Sequence, residues 1–230
     1  MKAPSTLCCV RVLLVLTAGG LVGCLEVPPT PTREPLNLSE AKAAVRRYHD
    51  SGDYERELAM VANEAQTWIA ARAARRSEHE RLAVVLDIDE TVLSNYPHML
   101  VEDFGYHAEA WDAWVARAEA PALAPVWEVY ATARRLGVEV LFITGRREPR
   151  DRAGTELNLR RQGMGEYARL MMAPEAGPRL TAAARKTEMR RALAAEGFVI
   201  IANIGDQESD LVGGFAERCF KLPDPFYRMD

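Results

Sequence analysis

Apolar and polar positions divide the chain into two kinds of stretch. Four short, predominantly apolar runs, mostly of aliphatic residues, occupy residues 82–86, 138–143, 170–172 and 198–204; Glu139 and Asn203 are the polar exceptions. Runs of this length are typical of strands that are buried on both faces of a parallel sheet. A fifth stretch, at residues 218–222, predicts a short edge strand.

Stretches with helical periodicity separate these runs. They predict helices over residues 39–50, 53–69, 124–136, 149–161 and 181–196. Ser39 and Asp53 are the expected N-caps of the first two helices. The alternation of strands and helices predicts an α/β fold, a Rossmann-like parallel sheet with helices on both faces.

The connection between the first two predicted strands, residues 96–123, is too long for a simple loop. We expect it to form a small helical cap or lid. Trp111 and Trp114 are expected to pack inside this cap rather than to act as platforms for a substrate. Whether Tyr96, His98 or Tyr227 contacts a bound substrate is left open by the sequence.

The N-terminal segment differs from the rest of the chain. Residues 1–23 combine Lys2 and Arg11 with a short apolar run, which is typical of a secretory signal peptide. The run ends at Cys24 in a sequence that resembles a bacterial lipobox, so we expect Cys24 to carry lipid; an ordinary signal with an incidental cysteine is the alternative. Leu25 after the cysteine favours the outer membrane. Residues 24–38 hold four prolines and predict an extended tether, followed by one globular domain at 39–230.

Charge and cysteine content narrow the function further. The formal net charge is −4, and loss of residues 1–23 would remove two basic residues and no acidic one, which leaves −6. This modest acidity gives no reason to expect a nucleic-acid polymer as a partner. Cys8 and Cys9 leave with the signal, and a lipid on Cys24 would leave Cys219 as the single thiol, so no intramolecular disulfide is expected.

Reactive residues follow the ends of the predicted strands. Asp87 and Asp89 come directly after the first strand, and residues two apart along a strand point the same way. Two carboxylates held this close repel each other unless a cation or a shared proton relieves the repulsion. Taken alone, the pair is also compatible with an acidic turn in which Asp89 caps the next helix.

Other strand ends add to this pair. Thr144 follows the second strand, Asp206 and Asp210 follow the fourth, and Lys186 lies in the helix before the fourth strand. Phosphoryl transfer needs such a set: a nucleophilic carboxylate, an acid/base, a hard cation, and a hydroxyl and an ammonium for the phosphoryl oxygens. We expect Asp87 to be the nucleophile and Asp89 the acid/base. The expected Mg²⁺ ligands are Asp87, Asp206 and the backbone carbonyl of Asp89. Thr144 and Lys186 are expected to bind the phosphate.

The chain resembles the haloacid-dehalogenase (HAD) superfamily in four motifs that occur in order: Asp87-Ile88-Asp89-Glu90-Thr91, Thr144-Gly145-Arg146, Lys186, and Gly205-Asp206-Gln207-Glu208-Ser209-Asp210. Within it, residues 86–95, 120–123, 142–146, 205–211 and 220–225 are similar to the acid phosphatases of subfamily IIIB. That subfamily includes plant vegetative acid phosphatases and storage proteins, and bacterial secreted or lipoprotein phosphatases.

The resemblance implies the same roles for Asp87, Asp89, Asp206, Thr144 and Lys186. It adds Gly145 to the phosphate site and gives Asp210 the task of orienting metal-bound waters or Lys186. Plant members carry tryptophan between the glutamine and the serine of the last motif, where this chain has Glu208. We therefore expect the substrate pocket to differ in detail.

Together these features predict a Mg²⁺-dependent acid phosphatase that acts on small phosphomonoesters through an aspartyl-phosphate. Nucleoside monophosphates are candidate substrates, because cap aromatics could stack a base. The expected location is the cell envelope, with a lipid anchor in the bacterial outer membrane. The alternative is a non-catalytic binding or storage lipoprotein on the same fold; the preferred ester, the pH optimum, the membrane face and the oligomeric state stay open.

Overall fold

The computed structural model describes residues 35–176 and 180–229 of the chain. The predicted signal peptide, Cys24 and the tether up to residue 34 lie outside the described residues. Within the described part, no helix has both the length and the apolar character needed to cross a membrane.

The core of the fold is a sheet of five parallel strands in the order β3-β2-β1-β4-β5. The strands are β1 (Arg81–Leu86), β2 (Glu139–Glu148), β3 (Arg169–Pro174), β4 (Phe198–Gly205) and β5 (Cys219–Lys221). The helices are α1 (Leu38–Asp50), α2 (Asp53–Ala73), α3 (Tyr96–Val101), α4 (Ala108–Arg117), α5 (Ala124–Arg135), α6 (Arg152–Arg161), α7 (Ala182–Ala195) and α8 (Glu208–Leu211). The predicted parallel α/β architecture is confirmed.

Both faces of the sheet are buried, as the apolar runs predicted. Leu82, Val84 and Leu86 of β1 pack into a core that also includes α2 and α5. Ala83 and Val85 point to the other face and pack with Met189 and Leu193 of α7. Because side chains alternate along a strand, the residue after Leu86 continues the row of Ala83 and Val85 and faces α7.

The order of the strands places a crevice beside β1. The chain runs outward from β1 through β2 to β3, and β4 and β5 lie on the other side of β1. The direction of winding therefore reverses between β1 and β4. In open parallel sheets, ligands bind at the carboxyl ends of the strands on either side of such a reversal.

The structure differs from the predicted boundaries at three places. α1 begins at Leu38 and is capped by the side chain of Asn37, rather than by Ser39. α2 begins at Asp53, but its N-cap is Gly52, which adopts a left-handed φ of 82°. β2 does not end at Ile143; it continues to Glu148 after a register shift against β3, so α6 starts only at Arg152.

The predicted helical insertion between β1 and β2 consists of α3, α4 and the loops around them. α4 approaches α6 closely at Gly154, where a Cβ atom would lie 2.3 Å from the carbonyl oxygen of Val115. Leu93, just after the first motif, forms an isolated bridge with Ala122 at the far end of the insertion. The bridge joins the two ends of the insertion, and the contact at Gly154 packs α4 of the insertion against α6.

Candidate active site

The ends of β1 and β4 meet in the crevice. The backbone N–H of Asp87 donates a hydrogen bond to the carbonyl of Ile204 (3.0 Å), so the two strands stay paired up to the point where their acidic residues begin. Asp87 and Asp206 are both buried, with exposed fractions of 5% and 0%. The two carboxylates are 119 positions apart in the sequence. They meet because β1 and β4 are neighbours in the sheet.

Lys186 is the cation of this cluster. It lies on α7, on the face of the sheet toward which Asp87 points, and its side chain is buried. The Nζ donates to Oδ1 of Asp87 and to Oδ1 of Asp210, both at 2.5 Å. Burial lowers the pKa of Lys186, but the two carboxylates outweigh burial and raise this pKa above its usual value. An ammonium has three N–H donors, so one remains for a ligand.

Three buried carboxylates form a candidate cation site. Oxygen atoms of Asp87, Asp206 and Asp210 all lie within 4.8 Å of one another. Burial raises the pKa of Asp87 to about 7, although the charge of Lys186 opposes the shift. Burial and the charges of Asp87 and Asp210 raise the pKa of Asp206 well above its usual value. Buried, mutually repelling oxygen ligands suit a hard divalent cation such as Mg²⁺.

Hydrogen bonds show which of these oxygens are free to bind a cation. Both oxygens of Asp210 are engaged: Oδ1 by Lys186 and Oδ2 by the backbone N–H of Gln207 at 2.9 Å. Asp210 also packs tightly on Gly205, where a Cβ atom would lie 2.3 Å from Oδ2. Among the described residues, no group donates to Oδ2 of Asp87. Oδ2 of Asp87 is therefore the oxygen without a donor. Both oxygens of Asp206 accept hydrogen bonds as well, from Thr91 (3.2 Å) and Gln207 (2.6 Å), and Asp210 contacts Lys186.

Thr144 and Gly145 lie at the register shift of β2. Thr144 is fully buried, and its hydroxyl accepts a hydrogen bond from the backbone N–H of Arg146 at 3.1 Å. Gly145 is exposed, and a Cβ atom added to it would meet no other part of the protein within 4 Å. The backbone at Gly145 is thus accessible to a ligand, whereas the hydroxyl of Thr144 is buried beside it.

Asp89 is held by an arginine. Arg146 donates from Nη2 to Oδ1 of Asp89 at 2.7 Å, and from Nε to Oδ1 and Oδ2 at 3.0 and 3.2 Å. The Arg146 side chain is 1% exposed and that of Asp89 17%. Nη1 of Arg146 donates to the hydroxyl of Thr155 on α6 (3.1 Å), which fixes the guanidinium from behind. Arg146 therefore sets the orientation of the carboxylate that the sequence predicts to be the acid/base.

Glu90 is a fully buried carboxyl group in the turn after Asp89. It accepts hydrogen bonds from the backbone N–H of Asn95 (2.5 Å), from the side-chain amide of Asn95 (3.0 Å) and from the hydroxyl of Tyr227 (3.0 Å). Burial, followed by the charge of Asp89, raises the pKa of Glu90 to about 8. The hydrogen bond from Tyr227 connects the C-terminal segment to the turn that follows β1.

A second buried cation lies below the acidic cluster. Arg190, one helical turn after Lys186 on α7, is fully buried. It donates to the carbonyl oxygens of Asp210 (2.5 Å) and Gly214 (2.9 Å), and also to that of Val212. α8, which holds Asp210, and the loop after it are therefore fixed from the same helix that supplies Lys186.

The cap aromatics occupy different environments. Trp114 is buried, stacks on His98 with the ring centroids 5.5 Å apart, and belongs to the main core, which confirms its expected packing role. Trp111 is partly buried, and the Arg146 guanidinium lies 5.7 Å from its ring centroid. Tyr96 is buried against His49 of α1, with its hydroxyl 3.3 Å from Asp50.

Four residues of the site have no role in the sequence prediction: Arg146, Glu90, Asn95 and Arg190. Glu90 and Arg146 belong to the first two motifs without an assigned role, although the spacing of Arg146 from Thr144 places the two on one face of β2. Asn95 lies in a stretch similar to the subfamily, and nothing in the sequence singles out Arg190. Their burial depends on the packing of the cap, the C-terminal segment and the loop after α8, which periodicity does not reveal.

Comparisons with known proteins agree with one another. Residues 34–230 match the family described as HAD superfamily, subfamily IIIB (Acid phosphatase). The chain is 35% identical to acid phosphatase 1 of Solanum lycopersicum over 187 residues, which cover 80% of this chain and 72% of that protein. It is 33% identical to the stem 28 kDa glycoprotein of Glycine max over 195 residues, covering 82% and 74% of the two chains. Among solved structures, the class C acid phosphatase from Bacillus anthracis superposes with a TM-score of 0.68 at 25% identity, covering 82% of this chain and 85% of that one.

Proposed function

The chain belongs to the HAD superfamily, subfamily IIIB, the acid phosphatases, and we propose that it cleaves phosphomonoesters through an aspartyl-phosphate on Asp87 with the help of Mg²⁺. Membership of this family makes the protein a phosphomonoesterase. The observation that supports the proposed mechanism best is the state of Asp87. One of its oxygens is bound to Lys186, and no described protein group donates to the other.

In the first step, a carboxylate oxygen of Asp87 attacks the phosphorus atom in line with the leaving oxygen. A bond forms between this oxygen and phosphorus, and the bond from phosphorus to the leaving oxygen breaks, its electron pair going to the leaving oxygen. The proton on the carboxyl group of Asp89 moves to that oxygen, so the product leaves as an alcohol. Arg146 holds Asp89 in place for this transfer.

In the second step, water releases the phosphate. The Asp89 carboxylate removes a proton from a water molecule, whose oxygen attacks phosphorus, and the bond between phosphorus and Asp87 breaks. Inorganic phosphate leaves, Asp87 regains its charge, and Asp89 is protonated for the next cycle. The same residue thus acts as acid and then as base.

Lys186 and the Thr144-Gly145 segment bind the phosphoryl oxygens in this proposal. The third N–H of Lys186 is free for a phosphoryl oxygen while the other two hold Asp87 and Asp210. Gly145 offers an accessible backbone, and Thr144 offers its O–H, since the backbone N–H of Arg146 occupies one lone pair of this hydroxyl and leaves the donor free. Donors fixed before the substrate arrives stabilise the charge that develops on these oxygens.

A divalent cation fits the acidic cluster described above. Asp87, Asp206 and the backbone carbonyl of Asp89 would hold it, and Asp210 would keep Lys186 in position. When bound, Mg²⁺ offsets the repulsion between the substrate phosphate and the carboxylates. Thr91 and Gln207 orient Asp206 toward the site, because they donate to its Oδ1 (3.2 Å) and its Oδ2 (2.6 Å).

We propose small phosphomonoesters, with nucleoside monophosphates among them, as substrates. We further propose that lipid on Cys24 holds the enzyme at the outer membrane of a bacterial cell envelope, with residues 24–38 as the tether. The lipobox-like sequence supports this location. Replacing Cys24 with serine should move the protein from the membrane fraction to the soluble fraction in a bacterial host.

The experiment that tests the proposed activity uses the full domain from residue 35. Hydrolysis of p-nitrophenyl phosphate should stop when a chelator removes divalent cations and return when Mg²⁺ is added. Asp206→Asn should need much more Mg²⁺ for half-maximal rate, whereas Glu119→Gln, an exposed carboxylate in the cap, should need the same amount. Full activity in the chelator would contradict a metal-dependent mechanism. A folded, metal-loaded protein inert toward a panel of phosphomonoesters would favour the binding or storage alternative.

A further inference from the structure

The side-chain amide of Asn95 joins the cap to the predicted acid/base. Its Oδ1 accepts a hydrogen bond from the indole N–H of Trp114 on α4 (2.7 Å). Its Nδ2 donates to Oδ1 of Asp89 (2.9 Å) and to Oε2 of Glu90 (3.0 Å). Asn95 is completely buried, and Trp114 is 6% exposed.

This arrangement permits only one orientation of the amide. An indole N–H can only donate, so the group that faces Trp114 must be the carbonyl oxygen of Asn95. Oδ1 of Asp89 and Oε2 of Glu90 also accept hydrogen bonds from Arg146 and Tyr227, so both oxygens are acceptors here and the NH₂ group of Asn95 faces them. Turning the amide over would place two donors together at Trp114 and acceptors together at both carboxylates. Trp114 therefore determines which atom of Asn95 meets Asp89.

The hydrogen bonds around Asp89 distinguish its two oxygens. Oδ1 accepts from Nδ2 of Asn95 (2.9 Å) and from Nη2 and Nε of Arg146 (2.7 and 3.0 Å). Oδ2 receives only the longer branch of the bond from Nε of Arg146 (3.2 Å). A proton on Oδ1 would compete with three donors for the same lone pairs. The proton that moves to the leaving oxygen therefore belongs on Oδ2.

We propose that Asn95, oriented by Trp114, is a positioning residue that presents Oδ2 of Asp89 to the leaving group. This inference rests on the proposed role of Asp89 as acid. The proton on Oδ2 passes to the leaving oxygen as the bond from that oxygen to phosphorus breaks, while Oδ1 stays bound to Asn95 and Arg146. Because Trp114 belongs to the cap, a displaced cap would also turn the acid away from its working position.

Leaving groups of different basicity test this role. p-Nitrophenolate leaves with little need of a proton, whereas the alkoxide of glycerol 2-phosphate must be protonated as it leaves. Loss of a positioned acid therefore lowers kcat/KM more for glycerol 2-phosphate than for p-nitrophenyl phosphate. A change that only weakens the fold lowers both values by the same factor.

The key variant is Trp114→Phe, which removes the N–H donor and keeps an aromatic ring stacked near His98. Relative to the wild type, we expect kcat/KM for glycerol 2-phosphate to fall about threefold to tenfold more than kcat/KM for p-nitrophenyl phosphate. This factor is only a part of the rate effect of a general acid, because Asp89 itself is kept. Asn95→Ala should give the same difference between the two substrates in the loss of kcat/KM, or a larger difference. Trp127→Phe is the matched control: it also removes one indole hydrogen bond, to the carbonyl of Gln162 (3.1 Å), but on α5.

Asp89→Asn separates this inference from the proposed function. Asp89→Asn should show the largest difference between the two substrates, about a hundredfold or more. If Asp89→Asn shows that difference while Trp114→Phe and Asn95→Ala lose both activities equally, the positioning role is wrong and the acid stands. If Asp89→Asn affects both substrates equally, Asp89 is not the acid, and the inference falls with it. If Asn95→Ala does not fold, Trp114→Phe decides alone.

Discussion

At the scale of single residues, the unusual feature of the site is how many carboxyl groups it buries. Glu90 is fully buried beside Asp89, and burial raises its pKa to about 8. In the unfolded chain, a glutamate titrates near 4.3. The folded protein thus holds a proton on Glu90 that the unfolded chain has lost. The stability that this proton contributes is complete below about pH 4 and disappears as the pH rises to about 8.

We predict that Glu90→Gln gains stability relative to the wild type as the pH rises, since glutamine does not titrate. With divalent cations removed, the difference in unfolding free energy should move in favour of the variant by at least about 1.4 kcal/mol between pH 5 and pH 8, which corresponds to one pKa unit. Urea unfolding at several pH values measures this difference. Glu119→Gln, on the surface, should show no such trend; a parallel trend in both variants would contradict the assignment to Glu90.

The sequence predicted the residues of the site that follow strand ends. Asp87 and Asp206 could be placed because parallel strands end at one edge of the sheet, and Lys186 because phosphoryl transfer needs an ammonium and the resemblance implies the same role. Arg146 and Asn95 could not be assigned a role, because their partners are set by tertiary packing. The pairing of Arg146 with Asp89 needs the extension of β2, and that of Asn95 needs the cap.

At the scale of elements, α7 organises the site. Lys186 and Arg190 are four residues apart and so lie on one face of this helix. Lys186 binds the carboxylates of Asp87 and Asp210. Arg190 binds three carbonyl groups, that of Asp210 in α8 and two in the loop that follows α8. One helix therefore fixes both the carboxylate that we propose as the nucleophile and α8, whose Asp210 supports Lys186.

Arg190→Lys should destabilise the protein, because one ammonium cannot reproduce the planar fork that spans three carbonyl groups. We expect a loss of about 2–4 kcal/mol in unfolding free energy, from buried acceptors left without donors. Activity should fall as well, because Asp210 is no longer held under Lys186. Arg191→Lys is the control: Arg191 is the next residue on the same helix, is exposed and pairs with Glu188. Its change should stay within about 0.5 kcal/mol, as for most surface positions; equal losses would contradict the role of Arg190.

The elements themselves were largely predictable. All five strands and the main helices lie where apolar runs and helical periodicity placed them. The exception is β2, which was expected to end at Ile143. Its continuation carries Gly145 and the polar residues Thr144 and Arg146, which do not read as a buried strand. Thr144 and Arg146 are nevertheless buried, because β2 lies between β1 and β3 and Arg146 lies beside Trp111 of the cap, whereas Gly145 is exposed.

At the scale of the whole molecule, the folded chain brings several carboxyl groups together where the cation is proposed to bind. Burial raises the pKa of Asp87 to about 7 and that of Asp206 well above its usual value. Without a cation, the folded protein therefore binds protons there that the unfolded chain releases near pH 4. Stability from the proton on Asp87 is full below about pH 4 and is lost as the pH rises to about 7, and the proton on Asp206 acts in the same direction.

Mg²⁺ must displace these protons, so its binding should strengthen as the pH rises. We predict that saturating Mg²⁺ raises Tm more at pH 7.5 than at pH 5, because only the folded protein binds the ion tightly. Thermal unfolding with Mg²⁺ and with a chelator at both pH values measures the effect. Asp206→Asn should abolish most of the shift at either pH. A shift in the wild type that is the same at both pH values would place the ion elsewhere.

The most direct test of the mechanism is to identify the phosphorylated residue. The wild-type domain, mixed with p-nitrophenyl phosphate and Mg²⁺ and quenched in acid during turnover, should carry one phosphoryl group, which peptide mass spectrometry should place on Asp87. Asp87→Asn should carry none and should not turn over, although its circular dichroism matches that of the wild type. Turnover by Asp87→Asn, or a phosphoryl group on another residue, would contradict the proposal that Asp87 is the nucleophile.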